Sequence, residues 1–296
     1  MAACIRRSDM QANPDGGKHR TKQPTNSMTT GAADAGRSPL PDPPYWQGAA
    51  VVGLYRLGFL VLLILAWFWA SQSVQRNIIP TPWATAEAAV KLIGEGRLPD
   101  ALLSSLSVYF SGYLAAAICA IPIGLLMGAM RPVGKTLDVF VFALSATPRV
   151  AFIPLIIVLL GLGPQAKIFV VFLGAVMPII INTYAGVLAA DDELIEMARS
   201  VGAGKGRIFL RIVLPGALPF VVVGLRIGAT IGLINTVVAE LYTAVTGLGG
   251  LLAVYGNTFR MAEYFVIVLT LALIGVVVTE ILRLIETRLG RWRQRS

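Results

Sequence analysis

The chain alternates long apolar runs with short polar segments once past its polar first residues. Six runs are long enough to cross a hydrocarbon layer of roughly 30 Å as helices that rise about 1.5 Å per residue. They cover about 52–72, 106–130, 138–162, 168–188, 217–241 and 263–286. Because lipid cannot satisfy backbone amides, each run is expected to be a helix. The pattern therefore predicts an all-α membrane protein with about six transmembrane helices.

The first 45 residues have a different composition. They are rich in Pro, Gly, Ser, Thr and charged residues, and they contain no apolar run as long as the core of a signal peptide. This composition predicts a disordered cytoplasmic tail at 1–45. A transmembrane domain is predicted to follow at 46–296, with one long polar loop at 190–215.

Composition and charge support a lipid-embedded chain. Hydrophobic residues make up 56% of the 296 residues and charged residues 14%, whereas ordinary soluble domains have roughly 25% charged residues. Membrane lipid is therefore an expected partner. The formal net charge is +9, but the basic residues lie between apolar runs and form no single stripe, so no nucleic-acid partner is predicted.

The distribution of Lys and Arg predicts the orientation. With the N-terminus inside, 18 of these residues fall in inner segments and five in outer ones. Inner loops of membrane proteins carry an excess of Lys and Arg. Both termini and the 190–215 loop are therefore predicted to be cytoplasmic, in a multi-pass protein of the cell inner (plasma) membrane.

The outer segment between the first two runs carries the signals of a short helix. Thr81 is a suitable N-cap, Pro82 fits the first helical position, and Gly94 is a candidate stop. We expect this helix to lie near the outer membrane interface. The runs themselves contain prolines that should kink helices and free carbonyl groups, namely Pro122, Pro148, Pro154 and Pro178.

Candidate catalytic and metal-binding groups are scarce. Cys4 and Cys119 have neither disulfide nor ligand spacing, and His19 is the only histidine and lies in the tail. Gly134-Lys135-Thr136 resembles part of a phosphate-binding loop, but its upstream glycine, Gly128, is one position too early. We predict no cofactor, no metal and no catalytic residue, so the chain is not expected to be an enzyme.

The 190–215 loop predicts two short helices joined by a turn. Asp191, Asp192 and Glu193 place negative charge at the start of the first helix, and Gly202 is placed to end it. The second helix is predicted at 207–213. The loop is expected to project apolar and basic side chains for docking into a partner's groove, or onto anionic lipid: Ile208, Phe209, Ile212, Leu214, Arg199, Lys205 and Arg211.

The spacing within this loop carries a family resemblance. Glu196-Met197-Ala198 is followed after three residues by Gly202, and after nine more by Ile212-Val213-Leu214-Pro215. This pattern resembles the motif E-A-A, three residues, G, nine residues, I, one residue, L-P of the permease subunits of ABC importers. Met197 in place of Ala is the one departure.

Other segments narrow the resemblance, which covers residues 78–290. Four are similar to the aliphatic sulfonate, taurine and nitrate permeases: Ile79 to Pro82, Pro122 to Gly128, Asn182 to Val187, and Gly247 to Gly249. The resemblance implies the type I ABC importer permease fold. It also implies a homodimer of permease subunits that moves a small, anionic or polar organic solute.

Further partners follow from the same resemblance. It implies separate ATP-binding subunits that dock on the cytoplasmic loop and couple ATP hydrolysis to translocation, and an extracytoplasmic solute-binding protein. The ATPase-coupling residues implied by the motif are Glu196, Ala198, Gly202, Ile212, Leu214 and Pro215.

Three ionisable residues within the runs are candidates for a solute pathway: Arg149, Arg226 and Glu240. A charge at membrane depth usually faces water or protein. The alternative is that such residues are held in structural pairs with other helices. Gly247 to Gly250 predicts a turn, with a gate as the alternative.

A secondary transporter or channel of six helices is the alternative function. It would couple transport through intramembrane acids or ion sites, but the spans hold only scattered acids and no inverted repeat is evident. A membrane enzyme would need a reactive constellation, which the spans lack. The loop motif favours the ABC permease subunit.

Overall fold

The computed structural model describes residues 49–73, 78–243 and 246–290, so the predicted tail at 1–45 lies outside the described residues. The chain divides into two units, 1–57 and 58–296. Of the first unit, only the opening turns of the first helix are described. All contacts discussed below lie within the second unit.

The described chain is built of helices, in the following order. They are α1 (Ala49–Ser73), α2 (Pro82–Gly94), α3 (Arg97–Ala129), α4 (Arg131–Ala146), a 3₁₀ turn (Arg149–Phe152), α5 (Ile153–Leu160), α6 (Pro164–Leu188), α7 (Asp192–Ser200), α8 (Lys205–Ile208), a π-helical turn (Phe209–Val213), α9 (Leu214–Thr243), α10 (Leu248–Asn257) and α11 (Met261–Gly290).

Five stretches are long and apolar enough to cross a membrane: Val51–Ser73, Arg97–Ala129, Pro164–Leu188, Lys205–Thr243 and Met261–Leu284. A sixth is possible if α4 and α5 together form one broken span. This arrangement confirms the prediction of an all-α membrane protein with about six spans.

The predicted span at 138–162 differs from the observed structure. α4 and the segment Arg149–Leu160 meet at a bend of 79°, so the kink expected at Pro148 is a break between two helices. The cause is Pro148, which has no N–H and disfavours helical geometry at the residue before it. Thr147 accordingly has extended backbone angles (φ −74°, ψ 132°).

α6 lies between α3 and α9, and glycines on both neighbours allow the close approach. A Cβ at Gly112 of α3 would lie 2.7 Å from the carbonyl oxygen of Ile168. A Cβ at Gly224 of α9 would lie 2.9 Å from the Cβ of Asn182. Small residues bring helix backbones together in membranes, where packing replaces the hydrophobic driving force. The three helices thus form the centre of the bundle.

The predicted outer helix is present as α2. The Thr81 hydroxyl accepts a hydrogen bond from the Ala84 amide at 3.2 Å, as expected of an N-cap. Gly94 is still within the helix, and the left-handed backbone that follows the helix falls on Gly96 (φ 76°). The inner face of α2 belongs to a packed cluster with α3, α10 and α11, which includes Leu92 and Leu252.

The 190–215 loop contains the predicted first helix, α7. The Asp191 carboxylate accepts from the Glu193 amide at 2.9 Å, and Gly202 has the positive φ (78°) that turns the chain after the helix. The second helix differs from the prediction at 207–213. It begins at Lys205 and continues through the π turn into α9. Pro215 has no N–H, and the wider π turn just before it lets the helix continue despite this missing hydrogen bond.

Candidate functional site

The 190–215 loop has one apolar face that packs and another that is exposed. Ile195 and Ala198 of α7 pack in a cluster with Val187 of α6 and with Ile208 and Val213 of the second helix. This packing corrects the expectation that Ile208, Phe209, Ile212 and Leu214 project from the loop. Ile208 is buried and the other three are half-buried, because α7 lies over them.

The exposed apolar face of α7 consists of Leu194, Met197 and Val201, which are three and four positions apart and so share one side of a helix. The Met197 side chain is 59% exposed. Met197, which stands where the motif has Ala, therefore adds apolar surface to this face and leaves the packed interior of the loop unchanged. We call these three residues the α7 face.

The motif residues separate into two groups. Ala198 and Ile212 belong to the packed cluster, and Leu214 is half-buried. Glu196 and Pro215 are exposed. The structure therefore uses part of the motif to hold α7 against the bundle and leaves Glu196 exposed outside the α7 face.

Glu240 is fully buried (0% exposed) and joins three helices. The Ser105 hydroxyl of α3 lies 2.8 Å from both carboxylate oxygens, and the Gly249 amide of α10 donates to the carboxylate at 2.9 Å. The same Ser105 oxygen accepts from the Leu248 amide at 2.8 Å. The first two amides of α10 are thus capped by side chains from other helices, because its own N-cap, Gly247, has no side chain to do so.

The two glycines of Gly247-Leu248-Gly249 leave room for this carboxylate. A Cβ at Gly247, whose φ is 93°, would collide with the Glu240 carboxylate. A Cβ at Gly249 would lie 2.6 Å from the Glu240 Cβ. The predicted turn is therefore a helix start that closes tightly over a buried acid.

Lys167 is a buried base near this acid. It is 2% exposed, and its ammonium donates to the Thr246 carbonyl at 3.1 Å and to the Thr246 hydroxyl at 2.9 Å. Lys167 and Glu240 also attract each other electrostatically. The sequence reading had placed Lys167 in an outer loop, whereas it lies in the first turn of α6 and holds the connection before α10.

Arg149 follows the break in the third predicted span and binds backbone carbonyls. Its guanidinium donates to the Gly174 carbonyl at 2.8 Å, the Leu173 carbonyl at 3.3 Å and the Ser145 carbonyl at 3.4 Å. Gly174 lies four residues before Pro178, which has no N–H to donate to that carbonyl. Arg149 thus satisfies a carbonyl that a proline leaves free, and it ties the broken segment to α6.

The three charged pathway candidates meet α6 at different levels. Glu240 lies near Lys167 at the start of α6, and Arg149 contacts Gly174 two turns further on. Arg226 is half-buried on α9 between Gly224 and Gly228, which pack on Ile179. The candidates are therefore spread along the central helix instead of forming one cluster.

Ser105 and Lys167 were not singled out from the sequence as site residues, and Gly249 was expected only as part of a turn. The available signal was Glu240 itself, since an acid within an apolar helix requires polar partners. Gly247 and Gly249, which follow Glu240 in the chain, showed where the backbone could approach its carboxylate closely. No spacing rule pointed to Ser105, which is 135 residues away along the chain.

Comparison with known proteins agrees with this architecture. Residues 120–292 match the family described as binding-protein-dependent transport system inner membrane component. An ABC transporter permease protein of Brucella abortus (strain 2308) is 34% identical over 219 residues, which are 74% of this chain and 88% of the relative. The chain belongs to this family and is therefore a multi-pass inner-membrane permease of the ABC importer type, that is, a transport subunit.

Two further similarities bear on solute and fold. The taurine transport system permease protein of Escherichia coli (strain K12) is 29% identical over 243 residues, which are 80% of this chain and 88% of the relative. An inward-facing structure of the MetNI methionine ABC transporter matches with a TM-score of 0.58 at 21% identity, covering 65% of this chain and 96% of that one. The latter similarity supports the fold alone.

Proposed function

We propose that this chain is the transmembrane subunit of an ATP-driven importer for a small anionic organic solute of the sulfonate class. Separate ATP-binding subunits hydrolyse ATP and dock on the 190–215 loop, which we call the coupling loop. An extracytoplasmic solute-binding protein delivers the solute. The observation that carries the coupling role is the α7 face, an exposed apolar surface that adjoins the packed side of the same helix.

The packing of the loop suits the transmission of force. Ala198 and Ile195 hold α7 against the second helix, and that helix continues without interruption from Lys205 into the span that ends at Thr243. A push on α7 therefore acts directly on a long helix through packed side chains. In this mechanism Gly202 confines the bend to one residue.

The chemistry of the α7 face favours a protein groove as the docking site. Leu194, Met197 and Val201 are suited to fill an apolar pocket, and the flexible Met197 adapts to its shape. Glu196 and Arg199 are exposed on α7 outside this face and supply charges that fix orientation. Such a mixed surface is typical of interface anchors surrounded by polar groups.

The subunit is proposed to act as a homodimer, with both termini and the coupling loop in the cytoplasm. The orientation rests on the excess of Lys and Arg in the inner segments. Labelling of single cysteines with a membrane-impermeant maleimide measures it. In right-side-out vesicles, Ser200→Cys should react only after the vesicles are opened, whereas Lys91→Cys, which is exposed on α2, should react while they are intact.

Arg149, Arg226 and Glu240 stay predictions for the solute pathway. For Arg149 and Glu240, the contacts with carbonyls, Ser105 and Gly249 support the structural alternative. Arg149 nevertheless remains close to the bend between α4 and α5, where a change of angle would alter the bundle interior.

Co-purification tests the docking role. Met197→Asp places a charge in the centre of the α7 face without touching the packed cluster, and Ser200→Asp adds the same charge outside that face. We expect Met197→Asp to weaken capture of the ATP-binding subunit by at least about tenfold, because a docked charge without a partner costs more than about 1.4 kcal/mol. Ser200→Asp should capture it normally. Equal capture by both variants would refute docking through this face.

A further inference from the structure

α2 lies across one end of the helix bundle. Just before its start, the Pro80 carbonyl accepts a hydrogen bond from the Trp67 indole at 3.1 Å, and Trp67 stacks on Phe265 with ring centroids 5.8 Å apart. Near its end, Leu92 belongs to the same packed cluster as Val266 and Ile267. The chain just before α2 is therefore linked through Trp67 to the second turn of α11, and the buried side of α2 belongs to a cluster that includes that turn. At 13 residues, or about 20 Å, α2 is also too short to cross the hydrocarbon layer.

The surface of α2 divides into three strips at about 100° per residue. One strip is buried against the bundle and contains Thr85, Ala88 and Leu92. A second is exposed and apolar and contains Trp83, Ala86, Val90 and Ile93. A third is exposed and charged and contains Glu87 and Lys91. A helix that only faced water would not need the second strip.

The depth of α2 explains the apolar strip. Trp67 lies within the last two turns of α1, a helix long and apolar enough to span, so its partner Pro80 sits at the membrane boundary. Trp83 is 80% exposed and Val90 73% exposed, and indole rings favour the level of lipid headgroups. The charged strip is then placed for headgroups and water.

We propose that α2 is a lipid anchor. Its apolar strip is inserted into the bilayer boundary at the face where α11 begins, and Glu87 and Lys91 remain in the headgroup layer. The partner is the lipid surface itself. Because α2 shares a packed cluster with α10 and α11, this anchor fixes the depth of the start of α10, which covers Glu240.

Two matched cysteine variants test the anchor in the full chain, with Cys4 and Cys119 replaced by serine. Val90→Cys carries an environment-sensitive NBD fluorophore on the apolar strip, and Glu87→Cys carries it on the charged strip three residues away. Both positions are exposed, so neither change disturbs packing. The protein is placed in phosphatidylcholine/phosphatidylglycerol nanodiscs and probed with lipid-borne doxyl groups and with aqueous iodide.

If the apolar strip is inserted by about 5–10 Å, doxyl lipid should quench the NBD fluorescence at position 90 about threefold more strongly than at position 87. Iodide should quench the fluorophore at position 87 more strongly. Equal access of iodide to both positions would overturn the proposal. So would protection of position 90 that appears only after the solute-binding protein is added, since the strip would then be a protein-docking surface.

Discussion

The Ser105 hydroxyl of α3 and the Glu240 carboxylate of α9 are hydrogen-bonded at 2.8 Å although they are 135 residues apart in the chain. Ser105 also accepts the Leu248 amide, so one small side chain links α3, α9 and the start of α10. Removing it would leave both a buried carboxylate and a buried amide short of a partner. Ser105 is therefore expected to stabilise the contact between these three helices.

Ser105→Ala should destabilise the folded protein by about 1–3 kcal/mol, the usual cost of leaving a buried polar group unsatisfied. Ser107→Ala is the matched control, because Ser107 is exposed and bonds only to the carbonyl of Ser104 in its own helix. Thermal unfolding in one detergent measures both. A midpoint for Ser105→Ala equal to that of the control would show that the link carries no stability.

Gly249→Ala tests the closeness of α10 to Glu240. A methyl group there would lie 2.6 Å from both the Glu240 Cβ and the Val237 carbonyl oxygen, so the backbone must shift. We expect the free energy of unfolding to fall by about 1–3 kcal/mol. Gly256→Ala, in the same helix, meets only the Tyr264 ring at 3.4 Å. It should be neutral or slightly stabilising. The yield of monodisperse protein and the unfolding midpoint are the readouts, and a tolerant Gly249 would contradict the observed packing.

Much of the fold could be predicted because membrane helices follow directly from apolar length. The five long spans, the capped α2 and the turn at Gly202 were all expected from sequence. A kink at Pro148 was expected as well, but its size was not, since the two parts of the third span meet at 79°. A proline within a span can either be absorbed or end the helix, as Pro178 and Pro148 respectively illustrate, and tertiary contacts such as those of Arg149 decide between the two outcomes.

The candidate site was less predictable. The loop motif located α7. The exposed apolar residues of the loop, however, are Leu194, Met197 and Val201, and not those of the second helix that were expected to project. Ile208 looked like a surface anchor in sequence, whereas α7 covers it. The burial of Lys167 depends on how α6 meets the connection before α10, a long-range contact that local pattern does not encode. Periodicity identifies faces, but it does not say which neighbour covers each one.

Arg149→Lys should fail to replace arginine. An ammonium keeps the charge but lacks the planar fork that reaches the carbonyls of Ser145 and Gly174 together. We therefore expect the free energy of unfolding to fall by about 1–3 kcal/mol. Arg131→Lys, at the exposed start of α4, is the control and should be silent. The measurement is chemical or thermal unfolding. Wild-type stability of Arg149→Lys would indicate that charge alone is needed, as a pathway role would require.

Gly202→Val should impair coupling while the bundle stays folded. Gly202 has a φ of 78°, where a β-branched residue is strained, and no atom lies within 4 Å of the added Cβ. Gly204→Val is matched, since Gly204 is equally open but extended (φ −69°, ψ 155°). Hydrogen exchange of the α7 amides should rise for Gly202→Val only, with a parallel fall in stimulated ATP hydrolysis. Unchanged exchange in both variants would remove the assigned role of Gly202.

The most direct test of the central claim is photo-crosslinking from Met197 in intact cells. With benzoylphenylalanine at this position, the α7 face should form a covalent adduct with the ATP-binding subunit, while the same probe at exposed Ser200 should form much less. That result requires both a cytoplasmic loop and a docked ATPase. An adduct with lipid alone, or equal adducts from both positions, would contradict the account.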